Sequence, residues 1–167
     1  DNLVDDPLRI LRAFRFAATL GFDIERNTLE QINRNKNLIL KPAKERINYE
    51  ILKLFQGKYT AQVLLMASDI IELLYPEFKN VKKVPSNTHH HLGLYEHSVE
   101  TVNQIQKLYE NSSDEIKSHL DKVDFGGFSR LAHLKFAGFF HDIGKFSTWT
   151  IEGDRHRFIK HDDVGSK

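Results

Sequence analysis

The segment DDPLRILRAFRFAATLG, residues 5–21, predicts an amphipathic helix that sets the character of the first half of the chain. Asp6-Pro7 is typical of an N-cap followed by proline at the first helical position, and Gly21 is typical of a helix end. Apolar residues recur at helical spacing and should form one buried face. The residues of that face are Leu8, Leu11, Phe14 and Ala18, and the arginines beside it are Arg9, Arg12 and Arg15.

The helical pattern extends outward from this segment over most of the chain. Strand-like alternation is not convincing in the first half, so the sequence predicts an all-α fold. Thr148 to Asp154 suggest a small irregular hairpin near residues 146–159. The other helices are expected to start at Asn27-Thr28, to run from Pro42 to Gly57, and to cover about 60–74, 94–109, 114–122 and 129–141, with a last helix capped by Asp162-Asp163.

Residues 78–88 are polar and contain Pro85-Ser86-Asn87, which is typical of a linker. We therefore expect two regions, a helical region over residues 1–78 and a second helical domain over residues 89–167. The last predicted helix starts only a few residues before Lys167, so this second domain is expected to be incomplete at its C-terminal end.

The composition narrows the classes of function. Cysteine is absent, which excludes disulfides and a thiolate zinc site and suits a reducing compartment, so we expect a cytoplasmic protein. No apolar run approaches the roughly 20 residues that a membrane span needs. The net charge is +1, but residues 1–60 hold 11 Lys and Arg against 8 Asp and Glu, an excess of +3 that indicates a polyanionic partner only weakly.

The histidines are concentrated in the second half, since all nine lie between His89 and His161. His97 falls on the apolar stripe of its helix, and His141 follows the apolar positions of a later helix at steps of three or four. Two inward-facing imidazoles need partners, and a shared metal ion provides one for each. The stripe residues on which this depends are Leu94, Val102, Ile105 and Leu108 in the first helix, and Leu131, Leu134 and Ala137 in the second.

Asp142 adds a carboxylate to this histidine pair. A carboxylate at a helix C-terminus is disfavoured by about 0.3–1 kcal/mol, and a bound cation reverses that effect. Gly144 permits a tight turn, and Lys145 then lies where it could contact a substrate phosphate as a catalytic residue. The sequence therefore predicts a hydrolytic divalent-metal site of His97, His141 and Asp142.

Four other histidines have weaker assignments. His91 and His161 could each approach the metal or a phosphate, and a solvated loop is an equally good interpretation of His91. His119 and His133 are interpreted as exposed or packed residues without a role in the site.

The first-helix segment resembles the region that follows the catalytic head in class II tRNA nucleotidyltransferases and bacterial poly(A) polymerases. The family pattern is an acidic pair, two residues and an arginine, continuing as Leu-Arg-Ala-x-Arg-Phe, although Asp5 stands where glutamate is usual. The resemblance implies that Asp6 and Arg9 read the Watson–Crick edge of the incoming nucleotide. A carboxylate accepts from exocyclic amines and a guanidinium donates to ring acceptors, which suits that role. Arg12 is a further candidate in the same helix.

Later motifs follow the family order. Glu45-Arg46-Ile47 with Glu50 and Lys53 resembles the helix that braces the base-reading one, and Tyr75-Pro76-Glu77-Phe78 resembles the end of that region. The segments around His97, His141-Asp142 and His161 resemble the HD domain that many bacterial members carry next. The resemblance covers essentially the whole chain.

The resemblance implies a protein that adds nucleotides from CTP or ATP to the 3′ end of tRNA or another RNA. It implies magnesium ions bound by a Gly-Ser and Asp-x-Asp head that this sequence lacks, and a final HD aspartate beyond Lys167. We therefore expect that this chain does not transfer nucleotides by itself. The HD site implies a divalent metal, which could be Mg, Mn, Ni, Co, Fe or Zn.

Two alternatives stay open. The chain could be an HD-type metal phosphohydrolase or phosphodiesterase with accessory N-terminal helices, or a non-catalytic RNA-binding module. The sequence does not distinguish CCA addition, partial CCA addition and poly(A) addition.

Overall fold

The computed structural model describes residues 2–78, 93–145, 147–152 and 155–165. Within these ranges the regular elements are helices apart from one antiparallel hairpin and one isolated bridge between Val123 and Ser129, so the all-α prediction and the predicted hairpin are both confirmed. The helices are α1 (Asn2–Asp5), α2 (Arg9–Leu20), α3 (Arg26–Asn35), α4 (Lys44–Phe55), α5 (Thr60–Met66), α6 (Ser68–Leu74), α7 (Leu94–Glu110), α8 (Asp114–Leu120), α9 (Arg130–Phe140) and α10 (His161–Gly165). Short 3₁₀ segments cover Lys36–Leu40, Phe125–Gly127 and Ile143–Lys145, and the hairpin consists of β1 (Trp149–Glu152) and β2 (Arg155–Phe158).

Helix α2 buries the face that its sequence predicts and ends where Gly21 adopts a left-handed conformation, with a φ of 72°. Its start differs from the prediction. The helix begins at Arg9, and the side chain of Asp6 caps no backbone amide because it is bound to Arg12 instead. The prediction of Asp6 as an N-cap is therefore wrong, and the carboxylate is held on the side of the helix.

Two other caps differ from the sequence prediction. Helix α3 begins at Arg26 because the carboxylate of Glu25 accepts a hydrogen bond from the amide of Thr28 at 2.9 Å. Helix α4 begins at Lys44 rather than at Pro42. Both differences are of one or two residues.

Gly57 allows helix α2 to approach the end of helix α4. A Cβ atom at Gly57 would lie 2.4 Å from the carbonyl oxygen of Ala18, so no side chain fits there. The amide of Tyr59 donates to the same Ala18 oxygen at 2.8 Å. The close contact holds α2 and α4 side by side, which brings their charged side chains together.

The described helices before and after residues 79–92 share one hydrophobic core. The hydroxyl of Tyr95 in α7 donates to the carbonyl oxygen of Leu64 in α5 at 2.7 Å. Phe78, Tyr95 and Phe139 form a cluster of aromatic rings with centroids 4.9–5.8 Å apart. Phe78 is buried and so is not part of a linker, while the rest of the predicted linker lies outside the described residues. The two-domain division remains a prediction.

The buried faces of α7 and α9 differ from the predicted stripes. Leu108 is 68% exposed, so the buried face of α7 does not reach its last turn. In α9, Leu134 and Ala137 are exposed, whereas Ala132, Lys135 and Phe139 are buried. The helix is rotated relative to the prediction because the aromatic ring of Phe139 packs into the core. Lys135 lies four residues earlier on the same face of the helix and is therefore buried as well.

Lys135 is only 1% exposed, and its ammonium group donates to the carbonyl oxygen of Gly57 at 2.9 Å. Burial lowers the pKa of Lys135 from 10.5 to about 8, and attraction by Glu110 opposes that shift only partly. The hydroxyl of Thr60 donates to the same Gly57 oxygen at 2.6 Å. The carbonyl therefore keeps a partner without the lysine.

Replacing Lys135 by methionine should raise the free energy of unfolding at pH 7 by about 2 kcal/mol, because it removes a buried charge and leaves no polar atom unpaired. For the unchanged protein this lysine should make stability rise between pH about 8 and 10.5, since only the unfolded state keeps the proton there. The variant should lack that rise. Urea unfolding followed by circular dichroism across this pH range measures both effects, with Lys107→Met at an exposed position as control. A Lys135→Met variant that is clearly less stable at pH 7 would contradict the argument.

None of the helices in the part of the chain that the structure describes combines the length and the hydropathy of a membrane span.

Candidate functional site

A cluster of ionisable side chains surrounds Asp142, which follows helix α9 directly. The Asp142 carboxylate is buried, and three cationic or basic groups lie around its Oδ2 atom. The Nζ atom of Lys145 is 2.6 Å from it, Nε2 of His141 is 3.1 Å away and Nε2 of His97 is 3.5 Å away. The fold thus brings His97, His141, Asp142 and Lys145 into one place.

Different elements position these side chains. His97 lies in the first turn of α7, and His141 lies at the C-terminal end of α9, which packs along α7. The two imidazole centroids are 5.4 Å apart. The 3₁₀ turn Ile143–Lys145 then returns the lysine to the carboxylate that precedes it. His141 is 41% exposed, so it reaches the cluster from a solvent-facing position and not from the buried stripe that the sequence suggests.

A hydrogen bond to the backbone fixes the orientation of the His141 ring. Its Nδ1 atom lies 2.7 Å from the carbonyl oxygen of Gly138, and because a carbonyl only accepts, Nδ1 carries a hydrogen. The Nε2 atom is left facing Asp142. The hydrogen bond to Asp142 raises the pKa of His141, against the opposing effect of burial, and the Gly138 contact adds to the rise.

The pKa of Asp142 responds to two opposed effects. Burial alone would raise it, but hydrogen bonds from His141 and Lys145 outweigh burial and hold it below the usual aspartate range. The group is therefore an ionised carboxylate at neutral pH.

The residues present fit a divalent metal ion. His97, His141 and Asp142 each offer a ligand atom, and these atoms lie within 4.8 Å of one another. Two imidazole nitrogens and one carboxylate oxygen form a donor set that suits Mn, Fe, Co, Ni or Zn. The Gly138 contact on Nδ1 of His141 is the kind of backbone hydrogen bond that orients metal-bound histidines. Lys145 competes for the same carboxylate and should weaken the binding of a cation there.

The surroundings of the cluster include the hairpin and helix α10. The Nζ atom of Lys145 is 5.8 Å from the ring centroid of Phe158 in β2. Helix α10 packs on the Ile143–Lys145 turn, where a Cβ atom at Gly165 would lie 3.2 Å from the amide nitrogen of Gly144. His161 starts this helix, but its side chain is outside the described part of the chain, as is all of His91.

His119 and His133 take no part in the cluster. His119 is exposed and contacts the guanidinium group of Arg130, which is paired with Asp124 at 2.7 Å. The ring of His133 packs edge-on against Phe128.

A second group of charged residues lies on helices α2 and α4. Asp6 is paired with Nη1 of Arg12 at 2.9 Å and has Nε of Arg9 at 4.0 Å. Asp6 and Arg9 therefore lie together at the start of α2, with Arg9 about half exposed. Arg12 is closer to Asp6 than Arg9 is, so the acid is held by one arginine while the other extends toward solvent.

Glu50 in α4 pairs with two arginines of α2 next to this group. Its carboxylate is buried and lies 3.4 Å from Nε of Arg12 and 3.1 Å from Nε of Arg15. The Arg15 contact is an ion pair outside hydrogen-bond geometry, and the Glu50 Oε2 and Arg15 Nε atoms have no hydrogen bond. Two guanidinium groups thus share one buried carboxylate, and Arg12 connects Glu50 to Asp6.

The sequence did not predict that Lys135 is buried or that Arg12 and Arg15 share the carboxylate of Glu50. The spacing Ala132, Lys135, Phe139 places the lysine on the buried face of α9, but a lysine is rarely buried and so the pattern is not read as apolar. The sequence motif includes Glu50 but does not predict that two arginines share it. Its position between Ile47 and Ile51 on the apolar side of α4 is the signal of burial.

Known proteins are similar to this chain over different lengths. Residues 21–82 match the family described as the probable RNA and SrmB-binding site of polymerase A. The whole chain aligns with an A-adding tRNA nucleotidyltransferase of Deinococcus radiodurans at 32% identity and with a CC-adding tRNA nucleotidyltransferase of Thermus thermophilus at 30% identity. A CCA-adding enzyme of Leuconostoc citreum is 47% identical over 75 residues, which cover 42% of this chain and 18% of the relative.

The chain spans 36% of the length of the first two relatives. The names of the three relatives describe different outcomes, namely addition of A, of CC and of CCA.

Proposed function

Because the chain belongs to the family of tRNA nucleotidyltransferases and poly(A) polymerases, we propose that it serves nucleotide addition to the 3′ end of tRNA or a similar RNA. In this proposal Asp6 and Arg9 read the base of CTP or ATP, and α3 to α6 contact the RNA. The observation that carries it is the placement of a carboxylate and a half-exposed guanidinium together at the start of α2. The protein acts in the cytoplasm, consistent with the absence of cysteine.

The chemistry of base reading follows from the two side chains. A carboxylate accepts a hydrogen bond from the exocyclic amine of cytosine or adenine, and a guanidinium donates to ring nitrogens or a carbonyl. Guanine and uracil present the reverse pattern on part of that edge. Arg12 holds Asp6 through a 2.9 Å contact and so limits the directions in which the carboxylate can point.

Replacing Asp6 by asparagine or Arg9 by glutamine should lower the discrimination of CTP and ATP over GTP and UTP by about tenfold or more, because each loss leaves part of the base edge unpaired. The measurement is nucleotide incorporation into tRNA that lacks its 3′ end, with the complete gene product. Arg26→Gln, at an exposed position on α3, is the matched control. Unchanged discrimination in both variants would remove Asp6 and Arg9 from base reading.

A second proposed function is metal-dependent hydrolysis of a phosphoester at the Asp142 cluster. His97, His141 and Asp142 would hold a divalent ion, which supplies an acidic bound water when present. Lys145 is well placed to contact the phosphate of the substrate, because its ammonium group lies at the same carboxylate. The convergence of three ligand atoms within 4.8 Å supports this proposal, and metal titration together with phosphodiester hydrolysis tests it.

A further inference from the structure

A groove lies between helices α2 and α4, next to the Asp6 and Arg9 pair. Its volume is about 390 Å³, which is ample for one nucleobase. Neither Asp6 nor Arg9 lines this groove. The residues that line it are Leu8, Arg12, Glu45, Arg46, Tyr49 and Glu50.

Tyr49 is the aromatic side chain of this groove, and its ring is held in position. The ring packs edge-on against Phe128 with centroids 5.5 Å apart, and the ammonium group of Lys53 lies 4.3 Å from its centroid. Even so, 48% of the residue is exposed. A fixed aromatic ring that stays half exposed provides a surface on which a base can stack at little cost in side-chain entropy.

The charges around Tyr49 favour a nucleic acid. Besides the buried Glu50, helix α4 carries three cations, Lys44, Arg46 and Lys53, and one anion, Glu45. Arg46 is exposed, and its side chain makes no ion pair or hydrogen bond with any residue in the described part of the chain. A guanidinium that is not already paired suits a phosphate. Glu45 can accept a hydrogen bond from a base amine or a ribose hydroxyl.

We propose that this groove binds a base near the 3′ end of a single-stranded RNA, stacked on Tyr49, with the adjoining phosphate bound by Arg46. The proposal rests on the proposed function, because the RNA end must lie beside the nucleotide that Asp6 and Arg9 read. Stacking on a tyrosine does not depend on the identity of the base, so the groove would accept different RNA ends.

The test is fluorescence anisotropy with a fluorescein-labelled short single-stranded RNA that ends in CC. Tyr49→Ala should weaken binding at least about fivefold, while Tyr49→Trp should retain it because the stacking surface remains. Arg46→Gln should lower the slope of log Kd against log salt concentration by about one, which corresponds to the loss of one phosphate contact. Tyr109→Ala, on α7 and away from the groove, should bind the RNA as the unchanged protein does.

Crosslinking of the unchanged protein provides a readout that does not depend on variants. RNA with 4-thiouridine next to its 3′ end should label the peptide that contains residues 44–53, as mapped by mass spectrometry. Labelling only elsewhere, or equal binding by Tyr49→Ala, would overturn the groove assignment while RNA binding itself stands. No binding of RNA by the unchanged protein would overturn both this proposal and the proposed RNA partner.

Discussion

Replacing Asp142 by asparagine should lower the affinity for Mn²⁺ or Ni²⁺ by about a hundredfold or more, because the amide removes the anionic ligand of the cluster. His97→Ala and His141→Ala should each lower the affinity by about tenfold or more, since each removes one nitrogen ligand. Isothermal titration of the metal measures these losses. Hydrolysis of bis(p-nitrophenyl) phosphate by the metal-loaded protein measures whether activity follows affinity.

Lys145 separates metal binding from catalysis in this experiment. The Lys145→Met variant loses the ammonium group that lies 2.6 Å from the Asp142 carboxylate, so it should bind the metal more tightly. If Lys145 contacts the substrate phosphate, the same variant should hydrolyse the ester more slowly. Tighter binding together with slower hydrolysis is a combination that simple loss of structure does not produce.

Asp124→Asn is the matched control, because Asp124 is an exposed carboxylate that is paired with Arg130 away from the cluster. It should leave both metal affinity and hydrolysis unchanged. Metal binding that is equally strong in Asp142→Asn would show that the cluster is an ion-pair network without a metal function.

Replacing Glu50 by leucine should lower the free energy of unfolding by about 2–4 kcal/mol. The substitution removes a buried carboxylate and leaves the guanidinium groups of Arg12 and Arg15 without their shared partner. Glu50→Gln should have a smaller effect, because the amide oxygen can still accept one hydrogen bond. Urea unfolding followed by circular dichroism measures the change.

Glu45→Gln, on the exposed side of the same helix, is the control and should change stability by less than about 0.5 kcal/mol. The double variant Glu50→Leu with Arg15→Met should recover part of the loss, because it removes the guanidinium that Glu50→Leu leaves unpaired, whereas Arg12 keeps Asp6 as a partner. An equal stability of Glu50→Leu and the unchanged protein would show that water replaces the carboxylate at both arginines.

Local patterns predicted most of the helices. The apolar spacing of residues 8–18 and the glycine at position 21 were sufficient for α2, because both act within one helix. The hairpin was predicted for the same reason. The sequence also predicted that His97, His141 and Asp142 lie together, and their ligand atoms do lie within 4.8 Å of one another. The argument that both histidines face inward fails for His141, which is 41% exposed.

Tertiary contacts decided the features that were predicted wrongly. Asp6 has the sequence context of an N-cap, but a guanidinium from the next turns binds its carboxylate more strongly than a backbone amide would. Lys135 is buried because Gly57, in a distant helix end, supplies an acceptor. Apolar spacing along a single helix predicts neither the pairing of Asp6 with Arg12 nor the contact of Lys135 with Gly57.

The contact between Gly57 and α9 has a consequence for evolution by recombination. The Gly57 position admits no side chain because of Ala18, and its carbonyl oxygen accepts hydrogen bonds from Thr60 and from Lys135. A gene that received the helices after residue 93 from a relative would place a new residue against this oxygen. A carboxylate at that position would repel this oxygen, whereas a hydrogen-bond donor or an apolar side chain of similar length is compatible with it, so the N-terminal helices and α9 are inherited most safely as a pair.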